Sequence, residues 1–153
     1  MVVALDAATK ALAVHFLSGH APVSVLGGAF ELDLYRNFAG PRNSFEGHTL
    51  LVSLLALAGV AAVAVIATRV RTTTAALGVG LLLGGGIGNL LDRFLRAPAP
   101  LHGGVVDWLR PGWSSGSMNL ADLAIQCAVI VLLGGMAMSW RRSRPRATAA
   151  TEA

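Results

Sequence analysis

Three long apolar runs constrain this chain more than any other feature. They are "LLVSLLALAGVAAVAVIAT" at residues 50–68, "TTAALGVGLLLGGGIGNLL" at 73–91 and "LADLAIQCAVIVLLGGMAMSW" at 120–140. Each has close to the roughly 20 residues that carry a helix across a hydrocarbon core about 30 Å thick. In lipid a backbone must satisfy its own N–H and C=O groups, so runs of this kind are read as helices. A fourth run, "MVVALDAATKALAVHFL" at 1–17, is shorter and broken by Asp6 and Lys10. It spans only if that charged pair is tolerated. Only 13% of the residues are charged and the mean hydropathy is +0.64, whereas soluble domains carry about 25% charged residues. The expected architecture is an all-α membrane protein. It has four transmembrane helices and a small extracytoplasmic β element, in one domain over residues 1–146, with a disordered cytoplasmic tail at 147–153.

Basic residues orient the spans. Arg69 and Arg71 lie in the tight link after the second run, and Arg141, Arg142, Arg144 and Arg146 follow the last. Both regions are placed in the cytoplasm by the excess of basic residues on that side of membranes. The longer connections, 18–49 and 92–119, then face outward, and both termini face inward. Arg36, Arg42, Arg93, Arg96 and Arg110 run against that rule without reversing it.

The formal net charge of +4 does not point to nucleic acid, because no basic helix or aromatic platform accompanies it. Cys127, the single cysteine, excludes an internal disulfide framework and reads as a packing residue within an apolar run. The N-terminus lacks the basic start and small-residue cleavage site of a secretory signal. The four histidines are scattered, and there is no H-E-x-x-H, no G-x-S-x-G and no phosphate-binding glycine loop. No metal or organic cofactor is expected.

Two shorter patterns add detail. In "VSVLGGAFELDLY", residues 23–35, Phe30, Leu32 and Leu34 alternate with polar positions, and Gly27-Gly28 can turn a hairpin. Gly80, Gly84 and Gly88 recur every four residues, which places them on one helix face where another backbone can approach.

The polar residues inside or beside the apolar runs carry the functional reading. In the inferred topology Asn89, Asp92 and Arg93 lie where the third helix leaves the membrane. Asn119 and Asp122 lie where the fourth re-enters, and Asp107 sits in the connection between them. Each has a plain structural explanation. Asn119 can cap the last helix, and Asp122 can complement its dipole. Asp92 can pair with its neighbour Arg93, and Asp6 can neutralise Lys10 four residues on. Asp107, flanked by Val105-Val106 and Trp108-Leu109, is harder to leave in a solvated loop. Convergence at one membrane depth is costly unless it is used. Two nearby carboxylates share one proton, because both cannot ionise cheaply. One then takes a proton from water while the other donates to the oxygen of the carbonyl under attack, and the roles reverse as the amine leaves. That chemistry is peptide hydrolysis without metal or covalent intermediate.

Three ordered segments, "GGGIGNLLDRF", "GGVVDWL" and "MNLADLAI", resemble the C-terminal signatures of signal peptidase II, the bacterial lipoprotein signal peptidase family. "DAATK" around Asp6 and Lys10 is similar to the family's first-helix motif. The resemblance implies four membrane helices with a small outer sheet. It implies cleavage of prolipoprotein signal peptides just before a diacylglyceryl-modified cysteine, at the outer face of the bacterial inner membrane. By motif, Asp107 and Asp122 become the catalytic pair. Asn89, Arg93 and Asn119 orient the pair and the substrate, and Asp6, Lys10 and Asp92 support it. Substrate and membrane lipid are the implied partners, and the chain is expected to act as a monomer.

The chain departs from the family pattern at several points. Ala7 stands for a glutamine, Met118 for a phenylalanine, and "APAPLHG" lengthens the link from Arg93 to Asp107. In "NFAGPRNSFEGHT", at 37–49, either Asn37 or Asn43 takes the place of the family's substrate-facing asparagine, next to Pro41 and Arg42. Only five residues precede Asp6, so the start is either internal or that of an abbreviated helix. Two other classes compete: a relative that binds lipidated or membrane peptides without cutting them, and a proton-coupled carrier. A carrier would hold its carboxylates near mid-bilayer and would often show repeats.

Overall fold

The structure is a computed structural model that describes residues 1–40, 44–98 and 100–143. Its elements run α1 (Val2–Leu17), β1 (Val23–Val25), β2 (Phe30–Asn37), α2 (Thr49–Ala67), α3 (Thr73–Leu95), β3 (Val105–Pro111) and α4 (Leu120–Ser143). The molecule is mostly helical. Among the described residues three helices, α2, α3 and α4, are long and apolar enough to cross a membrane. Their outward faces carry bare side chains such as Leu54, Ile130, Leu133 and Met136. Such a surface suits lipid and not water.

Each helix has a local reason to start or stop. The Thr72 hydroxyl accepts a hydrogen bond from the Ala75 N–H at 3.2 Å and opens α3. At the other end the Arg96 N–H closes on the Asp92 carbonyl at 3.0 Å before the backbone turns extended into Ala97-Pro98. α4 opens with a reciprocal box. Asn119 Oδ1 accepts from the Asp122 N–H at 2.9 Å, and Asp122 Oδ2 accepts from the Asn119 N–H at 3.1 Å. This satisfies two otherwise orphaned donors at once. Arg141 and Arg142 stand in its last turn, where cations complement the dipole.

α1 is inside-out. Its buried residues are Asp6, Lys10 and Ala13, while Leu5, Leu12 and Phe16 are exposed. At 1.5 Å per residue its 16 residues make about 24 Å. It runs parallel to α3: Val2 lies against Gly84, Asp6 against Gly88, and Lys10 bonds to Asp92. A methyl group at Gly88 would sit 2.6 Å from an Asp6 oxygen, so glycine is what allows the close approach. The expected glycine face is therefore partly realised. Gly84 and Gly88 meet α1, but Gly80 meets nothing. A second set, Gly78 and Gly85, admits Leu132 and the Ala121–Ile125 stretch of α4.

The β element is a three-stranded antiparallel sheet ordered β1-β2-β3. The alternating segment forms a hairpin as expected, closing through Leu26–Gly28 with Gly27 at φ 66°. β2 continues two residues beyond Tyr35, to Asn37. β3 was not anticipated, and Asp107 lies on it and not in a connecting loop. It pairs Leu32 with Leu109, Tyr35 with Asp107 and Asn37 with Val105, with a register shift between Leu32 and Tyr35. Its start carries no alternation because Val105, Val106 and Asp107 are all buried. A strand covered on both faces loses the period-2 signal.

Candidate active site

Three connections bring Asp107 and Asp122 together. β2–β3 pairing sets Tyr35 opposite Asp107 and Asn37 opposite Val105, which puts Asn37 and Asp107 on one face of the sheet. Met118 pairs back onto β3, its N–H donating to the Leu109 carbonyl at 2.8 Å and its carbonyl accepting from Leu109 at 2.9 Å. That pairing delivers Asn119, the next residue, to the side of Asp107. The box at the start of α4 then holds Asp122 against Asn119.

Asn119 is the bridge. Its Nδ2 donates to Asp107 Oδ1 at 2.7 Å and to Asn89 Oδ1 at 3.0 Å, while its backbone N–H binds Asp122 Oδ2. Asn89 Nδ2 donates to the other Asp122 oxygen, Oδ1, at 2.8 Å. Asn37 Nδ2 donates to Asp107 Oδ2 at 3.1 Å, and Asn37 Oδ1 accepts from the Gly40 N–H at 2.9 Å. Each oxygen of both carboxylates thus has a donor. Asp107 is wholly buried and Asp122 half-buried, so the pair is reached from the Asp122 side. Burial pushes the Asp107 carboxyl up from its ordinary 3.8 to about 7, and the Asp122 charge adds to that. Hydrogen bonds from Asn37 and Asn119 oppose the rise. Asp107 therefore stands ready to hold a proton at neutral pH.

Beneath the pair lies a second cluster. Lys10 Nζ touches Asp6 Oδ2 at 2.7 Å, Asp92 Oδ2 at 3.1 Å and Asn89 Oδ1 at 3.0 Å. Asp6 Oδ1 accepts from the Ala121 N–H at 2.9 Å, so α1 helps to cap α4. Asp92 Oδ2 also accepts from the Val106 N–H at 3.0 Å, tying α3 to β3. The expected Asp6–Lys10 pair is present, but it belongs to this larger network. The expected Asp92–Arg93 pair is not formed. Asp92 pairs with Lys10 and Arg96 instead. Adjacent helical residues point about 100° apart, whereas i and i+4 share a face. Arg93 turns inward, its guanidinium reaching the Gly103 carbonyl at 3.5 Å and its own carbonyl accepting from the Gly103 N–H at 3.2 Å.

Of the two asparagines left open by the sequence, Asn37 reaches Asp107, and Asn43 lies outside the described residues. All the other sequence-derived candidates fall in one connected region. Sequence reasoning missed Gly103, which has no room for a side chain beside the backbone of Asp92, Arg93 and Arg96. It also missed Ser53, whose buried hydroxyl donates to the Leu101 carbonyl at 2.6 Å and so holds the α3–β3 connection against α2. The G-G before V-V-D was a usable signal for the first. Nothing marked the serine.

The comparisons with known proteins agree on one family. The family model for signal peptidase (SPase) II matches residues 1–138. The "Lipoprotein signal peptidase" of Mycobacterium leprae (strain Br4923) is 40% identical over 133 residues, covering 87% of this chain and 66% of that protein. The protein of the same name from Rhodococcus jostii (strain RHA1) is 41% identical over 133 residues, covering 87% of this chain and 67% of its own length. The chain spans just under two thirds of the length of the Mycobacterium leprae relative. Two solved chains described as bacterial membrane enzymes share the fold. One has a TM-score of 0.79 at 18% identity, covering 95% of this chain and 88% of that one. The other has 0.73 at 20% identity, covering 88% and 86%. The ordered motifs, the single polar network they build and the match along most of the sequence give one conclusion: this chain belongs to the signal peptidase II family.

Proposed function

We propose that the chain is an aspartic endopeptidase that removes signal peptides from diacylglyceryl-modified prolipoproteins at the outer face of the bacterial inner membrane. The observation that carries this reading is Asn119 bridging Asp107 and Asp122. The ionised carboxylate takes a proton from water as its oxygen attacks the scissile carbonyl. The protonated partner donates to the carbonyl oxygen. The C–N bond then breaks as a proton passes to the leaving amine, giving a free carboxyl and the amino group of the lipid-modified cysteine. Asn37, Asn89 and Asn119 hold the carboxylates in register. Asp6, Lys10 and Asp92 hold the asparagines, and Arg93 holds the turn before β3 and faces the substrate backbone.

In this reading α1 is the fourth membrane helix and residues 1–146 form one domain. Both termini are cytoplasmic, and the sheet lies outside. The parallel packing of α1 and α3 supports that topology, because consecutive spans alternate in direction and the first and third must then cross in the same one. The diacylglyceryl-modified prolipoprotein and membrane lipid are the partners of a monomer. The alternative, a relative that binds lipidated peptides without cutting them, is less favoured because both carboxylates and all their donors are in place.

Purified protein and a diacylglyceryl-modified prolipoprotein test the proposal. Cleavage before the modified cysteine is expected. Asp122→Asn should lower it by about 10²–10⁴-fold or more while leaving substrate binding. Binding without turnover by the unaltered protein would select the non-cleaving alternative.

A further inference from the structure

Two outward arginines have no place in the catalytic reading. Cations are normally depleted from the outer side of membrane proteins, so each needs a reason. Arg110 is paired with Glu31 and lies 4.0 Å from Asp33. Arg93 is used at the turn before β3. Among the described residues the Arg96 side chain binds only Asp92, a carboxylate already engaged by Lys10 and by the Val106 N–H. Arg36, on β2, forms no ion pair among the described residues and is half-buried. Burial and the neighbouring Arg96 guanidinium both push the Arg36 pKa below its ordinary value, and Asp92 opposes them. Arg36 pairs across the sheet with Val106, whose N–H binds Asp92, so two guanidiniums stand near one carboxylate that a lysine also claims. An anion would complement them.

Beside Arg96 a cleft of about 240 Å³ opens between α1 and α3. Leu91 and Leu95 lead its apolar lining, and its polar lining is Asp6, Lys10, Asp92 and Arg96, with both carboxylates paired to Lys10. Leu95 is 78% exposed, so the cleft opens onto the face that meets the bilayer. Neither Asp107 nor Asp122 lines it.

We propose that this cleft binds a phospholipid of the outer leaflet, its phosphodiester bridging Arg36 and Arg96 and the upper part of one acyl chain lying against Leu91 and Leu95. Planar guanidiniums match phosphate oxygens two at a time. The apolar lining and the exposed leucines select a lipid over free phosphate. The diacylglyceryl group of a prolipoprotein carries no phosphate and so does not satisfy the arginines. The inference rests on the placement of α3 in the bilayer and not on catalysis.

The test uses the full chain in an uncharged maltoside detergent, with native mass spectrometry and thermal unfolding as readouts. Phosphatidylglycerol is compared with diacylglycerol of the same chains and with inorganic phosphate. Phosphatidylglycerol is expected to bind one to one and raise the unfolding temperature, while the other two do neither at matched concentration. Arg36→Gln, which removes no ion pair among the described residues, should weaken lipid binding at least about tenfold. Arg36→Lys should recover part of it. Equal binding of diacylglycerol, or undiminished lipid binding by Arg36→Gln, would overturn the proposal. An equal effect of inorganic phosphate would show an ion site and overturn the lipid assignment. Prolipoprotein cleavage, followed in parallel, separates this site from the catalytic one, since either can fail while the other stands.

Discussion

Asp107→Asn has an unusual expected consequence: it removes catalysis and, above neutral pH, stabilises the fold. The ordinary carboxyl pKa of 3.8 rises to about 7 in the folded protein. At 1.36 kcal/mol per pH unit of displacement, keeping Asp107 charged costs the folded state on the order of 4 kcal/mol. The sign follows from linkage. The folded state binds the proton more tightly, so Asp107 carries no charging cost below pH 3.8. The cost grows from there and is complete above about pH 7. Asparagine never charges. It does turn one amide NH₂ toward either Asn37 or Asn119, both of which donate to Asp107. One lost hydrogen bond with a donor left facing it costs about 1–3 kcal/mol. The variant should therefore gain roughly 1–3 kcal/mol at pH 8 and lose a similar amount at pH 4, near the ordinary carboxyl value of 3.8. Thermal unfolding of both proteins in the same detergent at the two pH values measures this. The same difference between variant and parent at both would refute it.

Other consequences follow from the same contacts. Lys10→Gln leaves Asp6 and Asp92 buried with one shared cation gone, and should cost about 3–5 kcal/mol in unfolding measurements. Gly88→Ala drives a methyl group against the Asp6 carboxylate and Ala121, and should cost about 1–3 kcal/mol. Gly80→Ala, at a position open on all sides, should stay within about 0.5 kcal/mol by the same assay. Cleavage should fall on the alkaline side as Asp107 loses its proton near pH 7, and a pH–rate profile that keeps rising to pH 9 would contradict its role as the acid.

How much was legible in the sequence depended on how each residue is solvated. α2 and α4 are apolar nearly all round, so run length alone marked them. α3 runs a full turn past Leu91, the end of its apolar run, because Asp92 and Arg93 find partners inside the protein. The hairpin showed its alternation because β1 and β2 are only partly covered, and β3 hid its own between two covered faces. The site residues were visible as polar groups that lipid would not tolerate unpaired. Their wiring was not visible. Asn119 Nδ2 reaches Asp107 and Asn89 only after Met118 pairs with Leu109, a contact that leaves no local pattern. Lys10 and Asp92, 82 positions apart, meet through the parallel packing of α1 on the glycine face of α3.

Infrared difference spectroscopy against pH reaches the carboxyl pair itself. The protonated-carboxyl C=O band should be present at pH 5, disappear through a transition near pH 7, and be missing over that range in Asp107→Asn. A transition confined to pH 4, or one that survives unchanged in Asp107→Asn, would mean that no shared proton is held between Asp107 and Asp122.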